Sequence, residues 1–301
     1  MSSHSQHIRS RSAAASRSSK WRDTPIFWWL LAGLFAAAFV IPFLFAAKIP
    51  QLLASKASEI ASEEGADSLF PDSVFIGGAD ALITVRESAV LNPPVDKDFL
   101  LVAWFKLRNL PANGDDVRLL SHIDDSQKQR PGYAIALARH KNEMRPIVYW
   151  NAVNQRAKWK IFDSVKLNPK SWFMIALSFY RQRYLGVHII ELSSDGKGEQ
   201  RLLGGYDVGE AGLPGGSASL LLGSHGTKSF RGKVGPFGIF NIRDLGADLN
   251  EIIKEFRTQP LKLPSRFADA NVMLWSVDGR TDQSKNSLKI TAPSEKKRPK
   301  K

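Results

Sequence analysis

The chain has 301 residues, of which 43% are hydrophobic and 10% aromatic, and its formal net charge is +13. This composition is typical of a globular protein, and the absence of cysteine excludes disulfides, thiolate nucleophiles and cysteine-ligated zinc sites. Much of the positive charge lies in the two terminal segments, and neither shows a nucleic-acid-binding motif or interleaved aromatic residues. We therefore expect no nucleic acid partner.

The first element in chain order is an apolar segment, residues 24–47, without a charged side chain. At about 1.5 Å per residue, it is long enough to cross a bilayer core of about 30 Å. Five basic residues precede it and mainly acidic residues follow it, so the positive-inside rule predicts a cytoplasmic N-terminus and an exported remainder. An exported domain without cysteine fits a bacterium, so we expect a single-pass inner-membrane protein with its C-terminal domain in the periplasm or outside the cell.

A cleaved signal peptide is the competing interpretation of this segment. Signal peptides have apolar cores of about 7–15 residues and end at a small-x-small site. The core here is longer, and Phe45 occupies the outer small position of the best site, which lies after Ala47. We therefore favour an uncleaved transmembrane signal anchor.

The remaining domain organisation follows from shifts in pattern. Residues 1–23 are predicted to be a basic disordered tail. Residues 48–69, with Ile49, Leu52, Leu53 and Ile60 among alanines and serines, predict a helical stalk or a self-association helix. Residues 70–290 form the predicted exported domain, and residues 291–301 a second basic disordered tail.

The exported domain shows the two-residue periodicity of strands. The clearest predicted strands are Asp98–Leu107, Gly132–Arg139, Arg145–Asn151, Trp172–Tyr180, Tyr184–Leu192 and Ser217–Gly223, with turn signals between them. Asp98–Leu107 is apolar on both faces, which predicts a strand covered on both sides. Short strands without intervening helices predict an all-β sandwich or barrel.

A further apolar stretch, Ser229–Asn241, carries Gly232, Gly235 and Gly238 at intervals of three. Glycine weakens a strand interior unless a bulge, a bend or a close backbone approach requires it. One short helix is predicted after this stretch, because Asp248 and Glu251 have capping-box spacing and an apolar stripe follows. We expect this helix to end before Pro260 and to pack on the rim of the sandwich.

The motifs "FLLVAWFKL", "GYAIAL", "SWFMIALSFYRQRYLGVHI" and "LLLGS…FRGKVGPFGIFN", in this order, resemble the laminin G-like branch of the concanavalin A-like lectin/glucanase family. The resemblance covers about Asp98 to Phe256. It implies a jelly-roll β-sandwich in which Gly232 and Gly235 suit a bend or bulge. Residues 271–286 resemble the opening segment of such domains, although they lie at the C-terminal end, where they fit a closing edge strand.

The resemblance raises two kinds of chemistry. Its glucanase members carry two carboxyls in an E-x-D-x-x-E run, and this sequence has no such run, with Glu143, Glu191, Glu199 and Glu210 isolated. Laminin G-like domains often hold calcium at a loop rim, for which Asp124 and Asp125, or Asp115 and Asp116, are candidate oxygen donors. Solvated loop acids beside basic residues are the competing interpretation.

The best candidate for a carbohydrate site is the stretch "VYWNAVNQRAKW", with Tyr149, Trp150 and Trp159 beside Asn151 and Asn154. Strand alternation places Tyr149 and Trp150 on opposite faces, so only one of them can lie in the core. We expect Trp159 and one of that pair to line a face or rim that binds glycan, with Trp104 and Trp172 in the core.

Three functions remain open at this point. The first is a membrane-anchored, non-catalytic binding module for an envelope or extracellular glycan. The second is a protein–protein scaffold in a membrane assembly, with an envelope protein as partner. The third is a carbohydrate-active enzyme, which the missing carboxylate run disfavours.

Overall fold

The computed structural model describes residues 68–77, 81–123, 131–141, 143–151, 158–168, 171–181, 183–192, 198–207, 215–223, 230–243, 245–267 and 271–293. They belong to one compact unit, Ser62–Lys301. The predicted anchor and almost all of the predicted stalk lie outside these ranges. Within them, no helix has the length and apolar character needed to cross a bilayer.

The described residues form fourteen strands and one α-helix. In chain order the strands are β1 Val74–Ile76, β2 Ile83–Val85, β3 Asp98–Leu107, β4 Asp116–Ile123, β5 Gly132–His140, β6 Glu143–Asn151, β7 Lys158–Ile161, β8 Trp172–Tyr180, β9 Tyr184–Leu192, β10 Gly198–Asp207, β11 Leu220–Leu222, β12 Gly232–Ile242, β13 Val272–Ser276 and β14 Ile290–Thr291. The helix, α1, is Leu245–Thr258.

The strands form two antiparallel sheets of seven strands each. Sheet A has the order β1-β12-β3-β8-β9-β10, and β13 also pairs with β12. Sheet B has the order β14-β2-β11-β4-β5-β6-β7. The chain is therefore mostly β, with two sheets and one helix, as the strand pattern predicts.

The main hydrophobic core lies between the two sheets. Sheet A contributes alternate residues such as Phe99, Leu101 and Phe105 from β3, and sheet B contributes residues such as Tyr133 and Ile135 from β5. These side chains are almost completely buried. Burying one face of each sheet against the other is the arrangement of a β-sandwich.

A second hydrophobic cluster covers the outer face of sheet A. It joins Trp104 and Trp172 to Phe70 and to Ile252 and Phe256 of α1. Strand β3 of sheet A is thus buried on both faces, and the prediction that Asp98–Leu107 is covered on both sides is confirmed. So is the assignment of Trp104 and Trp172 to the core.

Helix α1 differs from its prediction at its start and in its position. It begins at Leu245, three residues before Asp248, and packs on the outer face of sheet A instead of the rim. The Leu245 amide donates to Oδ2 of buried Asp98 at 2.8 Å, and the Arg181 amide donates to Oδ1 at 2.7 Å. A carboxylate from a distant strand therefore caps the helix, which sequence spacing cannot reveal.

Strand β12 explains the regular glycines. A Cβ on Gly232 would lie 2.0 Å from the carbonyl oxygen of Lys106, and one on Gly238 would lie 2.8 Å from that of Leu274. The register of β12 against β3 shifts between Val234 and Phe237, which places a bulge at Gly235. The bulge expected at Gly235 is confirmed, whereas Gly232 is required by a close approach of the backbone.

The sequence identified β3, β8 and β9 with their full bounds but missed six strands, namely β1, β2, β4, β7, β10 and β14. Four of them, β1, β2, β7 and β14, are only two to four residues long, and β4 and β10 mix charged and apolar residues without clean alternation. Residues 272–276 form β13, which pairs with β12 and so acts as the expected closing strand.

Candidate functional site

Strand β6 separates Tyr149 from Trp150. Trp150 is 3% exposed and belongs to the core between the sheets. Successive side chains of a strand point to opposite faces, so Tyr149 lies on the outer face of sheet B, where it is half-buried. The prediction that only one of the two residues enters the core is confirmed, and the burial of Trp150 removes it from any exposed glycan site.

Strand β7 brings Trp159 directly beside Tyr149. The two residues are register partners in the β6–β7 pair, and cross-strand partners lie on the same face. Trp159 is 61% exposed. On the same face, Ile161 is the partner of Ile147 and is also exposed. Two aromatic side chains that are ten residues apart in sequence thus form one surface on the outer face of sheet B.

Arg118 extends this surface across strand β5. Its guanidinium carbon lies 6.0 Å from the centroid of the Tyr149 ring. Arg118 is the register partner of Ala136, and Tyr149 that of Ala134, so β5 presents only buried alanines between the two larger side chains. Small side chains on β5 let the cation approach the ring. We call Trp159, Tyr149 and Arg118 the Trp159 platform.

The electrostatic surroundings keep the Tyr149 hydroxyl protonated. Partial burial, together with the nearby Asp116 carboxylate, raises the pKa of the Tyr149 phenol, and Arg118 opposes this effect. A neutral phenol can both donate and accept a hydrogen bond. The platform therefore combines aromatic faces with one hydroxyl and one guanidinium group.

The other predicted site residues are placed differently. Asn151 is 2% exposed, so it does not line the platform surface. Asn154 and the candidate calcium ligands Asp124 and Asp125 lie outside the described residues. Elsewhere in the described ranges, no group of three acidic or histidine side chains could hold a metal ion.

The structure also brings in Tyr206, which sequence reasoning missed. Its ring lies 6.0 Å from that of Trp150, and the ammonium group of Lys160 lies 4.8 Å from its centroid. Tyr206 belongs to β10, the edge strand of sheet A, and is 39% exposed. The only sequence signal was a lone tyrosine in a glycine-rich stretch that had not been predicted to be a strand.

Two of the isolated glutamates have structural partners. The Asn168 amide donates to Oε1 of Glu191 at 3.0 Å, and the Ser164 hydroxyl donates to Oε2 of Glu143 at 2.5 Å. Glu191 is buried at the end of β9, away from the Trp159 platform. Both carboxylates therefore accept hydrogen bonds from other parts of the fold.

Comparisons with known proteins give weak structural matches. No protein-family model and no curated sequence matches the chain. The binding domain of Paraclostridial Mosquitocidal Protein 1 matches with a TM-score of 0.41 and 12% identity over 60% of this chain and 45% of its own. The enzymatically active domain of tailspike protein 2 from bacteriophage CBA120 matches with a TM-score of 0.44 and 10% identity over 68% of this chain and 33% of its own.

A structure of botulinum neurotoxin type C, a toxin whose cell entry depends on interaction with two ganglioside molecules, matches with a TM-score of 0.40 and 12% identity. That match covers 57% of this chain and 39% of the matched one. The chain thus spans less than half the length of each of these three structures. At such scores we assign no family and no function from these matches.

Proposed function

We propose that this protein is a non-catalytic carbohydrate-binding module of the laminin G-like, jelly-roll type, and that its ligand stacks on the Trp159 platform. The observation that carries the proposal is the cross-strand pairing of exposed Trp159 with Tyr149 on the outer face of sheet B. The C–H faces of sugar rings are apolar and pack against aromatic rings, while their hydroxyls need nearby hydrogen-bonding groups. Tyr149 and Arg118 supply such groups.

The exposure of Trp159 supports a binding role for this side chain. A tryptophan that is 61% exposed contributes little to the core, and it places a large apolar surface in water. Single exposed apolar residues are common, but here the neighbouring Ile161 is exposed too and Tyr149 is only half-buried. Covering these side chains with a ligand would therefore release water from a preformed surface.

The cellular context in this proposal comes from the sequence. The proposed module is exported and held at a bacterial inner membrane by a signal anchor at residues 24–47. Calcium at Asp124 and Asp125 belongs to the same proposal. A protein–protein scaffold is the second candidate, since exposed tryptophan and tyrosine are also frequent in protein interfaces.

A glycan array probed with the full-length chain in detergent micelles tests this proposal, once with calcium and once with a chelator. We expect saturable binding that Trp159→Ala weakens by at least about tenfold, a loss of about 1.4 kcal/mol. Phe75→Ala is the matched control, because Phe75 is 49% exposed and lies on β1, at the edge of sheet A opposite β10. Loss of binding on chelation would support the calcium site.

Two results would contradict the proposal. One is the absence of binding to every glycan by a chain that circular dichroism shows to be folded. The other is binding that Trp159→Ala leaves unchanged. Either result would favour the scaffold function, for which crosslinking in intact membranes would identify the partner.

A further inference from the structure

The Trp159 platform continues around the edge of the sandwich through Lys160. Lys160 follows Trp159 in β7 and is the register partner of Val148, which faces the core. Its side chain therefore leaves the opposite face of the strand from Trp159 and reaches β10 of sheet A, where the ammonium group lies 4.8 Å from the Tyr206 ring centroid. This cation–π contact connects the edge strands of the two sheets.

From Tyr206 the surface continues onto the outer face of sheet A. Asp207, the next residue, holds Arg183 in a bidentate ion pair. The guanidinium Nε donates to Oδ1 and Oδ2 at 2.9 Å each, and Nη2 lies 2.8 Å from Oδ2. Both side chains are about half exposed, with relative exposures of 57% for Arg183 and 43% for Asp207. A bidentate pair of this kind fixes the orientation of the guanidinium plane.

Two stacked tyrosines end this path. The Arg183 guanidinium lies 5.9 Å from the ring centroid of Tyr184, and the rings of Tyr184 and Tyr180 are stacked with centroids 5.2 Å apart. Beside them on β10, a Cβ on Gly205 would meet no atom within 4 Å, so the surface there is open. We call Trp159, Lys160, Tyr206, Arg183, Tyr184 and Tyr180 the aromatic band.

We infer that the aromatic band binds an internal run of a linear polysaccharide, and that the Trp159 platform is one end of this longer site. The inference rests on the proposed function. The two sheets of a sandwich lie about 10 Å apart and neighbouring strands about 4.8 Å apart, so a path from β7 over β10 to β8 extends well beyond one disaccharide. The ligand class is therefore an extended chain of several sugar units, bound along its length.

The composition of the band favours such a chain over a protein partner. A charged side chain separates each aromatic group of the band from the next. Lys160 lies between Trp159 and Tyr206. Arg183 lies between Tyr206 and the stacked pair that begins with Tyr184. Protein interfaces instead have a contiguous apolar centre that is depleted in charge. A narrow series of rings and hydrogen-bonding cations matches the alternation of C–H faces and hydroxyls along a polysaccharide.

Chain-length dependence tests this inference. The probes are the disaccharide and hexasaccharide of the cello-, laminari-, xylo-, chito- and malto- series, titrated by calorimetry into the full-length chain in detergent micelles. In at least one series we expect the hexasaccharide to bind about tenfold or more tightly than the disaccharide, since it reaches the far tyrosines. Tyr184→Ala should remove this gain and leave disaccharide binding unchanged, whereas Trp159→Ala should weaken both.

Asp207→Asn is the second variant, because it keeps every aromatic ring and weakens only the ion pair that orients the Arg183 guanidinium. It should reduce the affinity advantage of the hexasaccharide over the disaccharide severalfold. Phe75→Ala is again the control and should change neither affinity. Equal binding of both lengths, or a gain that survives in both Tyr184→Ala and Asp207→Asn, would overturn the extended site while leaving the platform intact. Absence of all binding, or binding independent of Trp159, would overturn the proposed function as well.

Discussion

The outer faces of the two sheets contrast within this molecule. On sheet A, Trp104 and Trp172 are covered by Phe70 and belong to a cluster that includes residues of α1. On sheet B, Trp159 and Tyr149 are also aromatic neighbours across a strand pair, but neither belongs to either hydrophobic cluster of the described residues. The same residue types thus occur in two environments. The rings on sheet A are covered by other side chains, whereas Trp159 on sheet B is largely exposed.

The contrast follows from the size of the outward-facing side chains in the strands of each sheet. The outward residues of β3 and β8, among them Leu100, Val102 and Met174, are large and apolar, so they need a covering layer. The outward residues of β5 include Ala134, Ala136 and Ala138, which need little covering. Strand β5 therefore adds little apolar surface to the outer face of sheet B, and the large exposed apolar side chains of this face lie on β7.

The largest expected effect comes from removing a covered ring. Phe240 packs against Phe267 with stacked rings 4.2 Å apart, and it also contacts Trp275. Phe240→Ala should lower the free energy of unfolding by about 3–5 kcal/mol, because it leaves a cavity under α1. Urea denaturation measures this change, with Phe75→Ala as the exposed-ring control at about 0.5 kcal/mol or less. A small effect of Phe240→Ala would mean that the outer layer of sheet A contributes little to stability.

A slightly smaller effect concerns His188 on the outer face of sheet A. It is 1% exposed, no described residue hydrogen-bonds either ring nitrogen, and burial lowers its pKa from 6.5 to about 4. The unfolded chain therefore takes up the proton at a higher pH than the folded chain does. Stability should be full above about pH 6.5 and should fall by about 3 kcal/mol as the pH drops to about 4, since one pKa unit corresponds to about 1.36 kcal/mol.

Two variants isolate this contribution from other titrating groups. His188→Leu replaces the ring with an apolar side chain, so its stability should depend less on pH between 4 and 6.5 than that of the unaltered chain. Phe75→Ala, which removes an exposed ring and no titrating group, is the control and should leave the pH dependence unchanged. Identical pH profiles for His188→Leu and the unaltered chain would assign the acid sensitivity elsewhere.

An intermediate effect tests the glycine of β12. Gly232→Ala places a methyl group 2.0 Å from the carbonyl oxygen of Lys106, so β12 and β3 must move apart. We expect a loss of about 1–3 kcal/mol in the free energy of unfolding. Gly205→Ala is the matched control, since its methyl group would meet nothing within 4 Å. Equal stabilities of the two alanine variants would show that the strands adjust without strain.

The smallest expected effect on stability is that of Trp159→Ala. The variant should unfold within about 0.5 kcal/mol of the unaltered chain, because the ring is exposed and outside both clusters. The same variant should lose at least about tenfold in glycan affinity. A large loss of stability would mean that Trp159 supports the fold of the β6–β7 pair, and the binding data would then need Trp159→Phe for their interpretation.

Much of the fold was predictable because local periodicity reports burial. The apolar residues on both faces of β3 predicted a strand covered on both sides, and the glycines of β12 predicted a bulge, a bend or a close backbone approach. The start of α1 was not predictable, because its amide is capped by Asp98, 147 residues away in sequence. Strand β10 was missed because glycines and charges interrupt its alternation.

The sequence by itself determined that the domain is built of strands, that Tyr149 and Trp150 lie on opposite faces, and that glycine is needed in β12. It could not determine which of those two rings faces outward, because alternation fixes relative faces and only the packing of sheet A decides which face is covered. Likewise, only the tertiary structure brought Lys160 to Tyr206 and Arg183 to Asp207, since these contacts join strands that are 46 and 24 residues apart in sequence. The local sequence around Trp159 therefore indicates one part of the candidate site. The remaining parts are brought together only by contacts between residues that are distant in sequence.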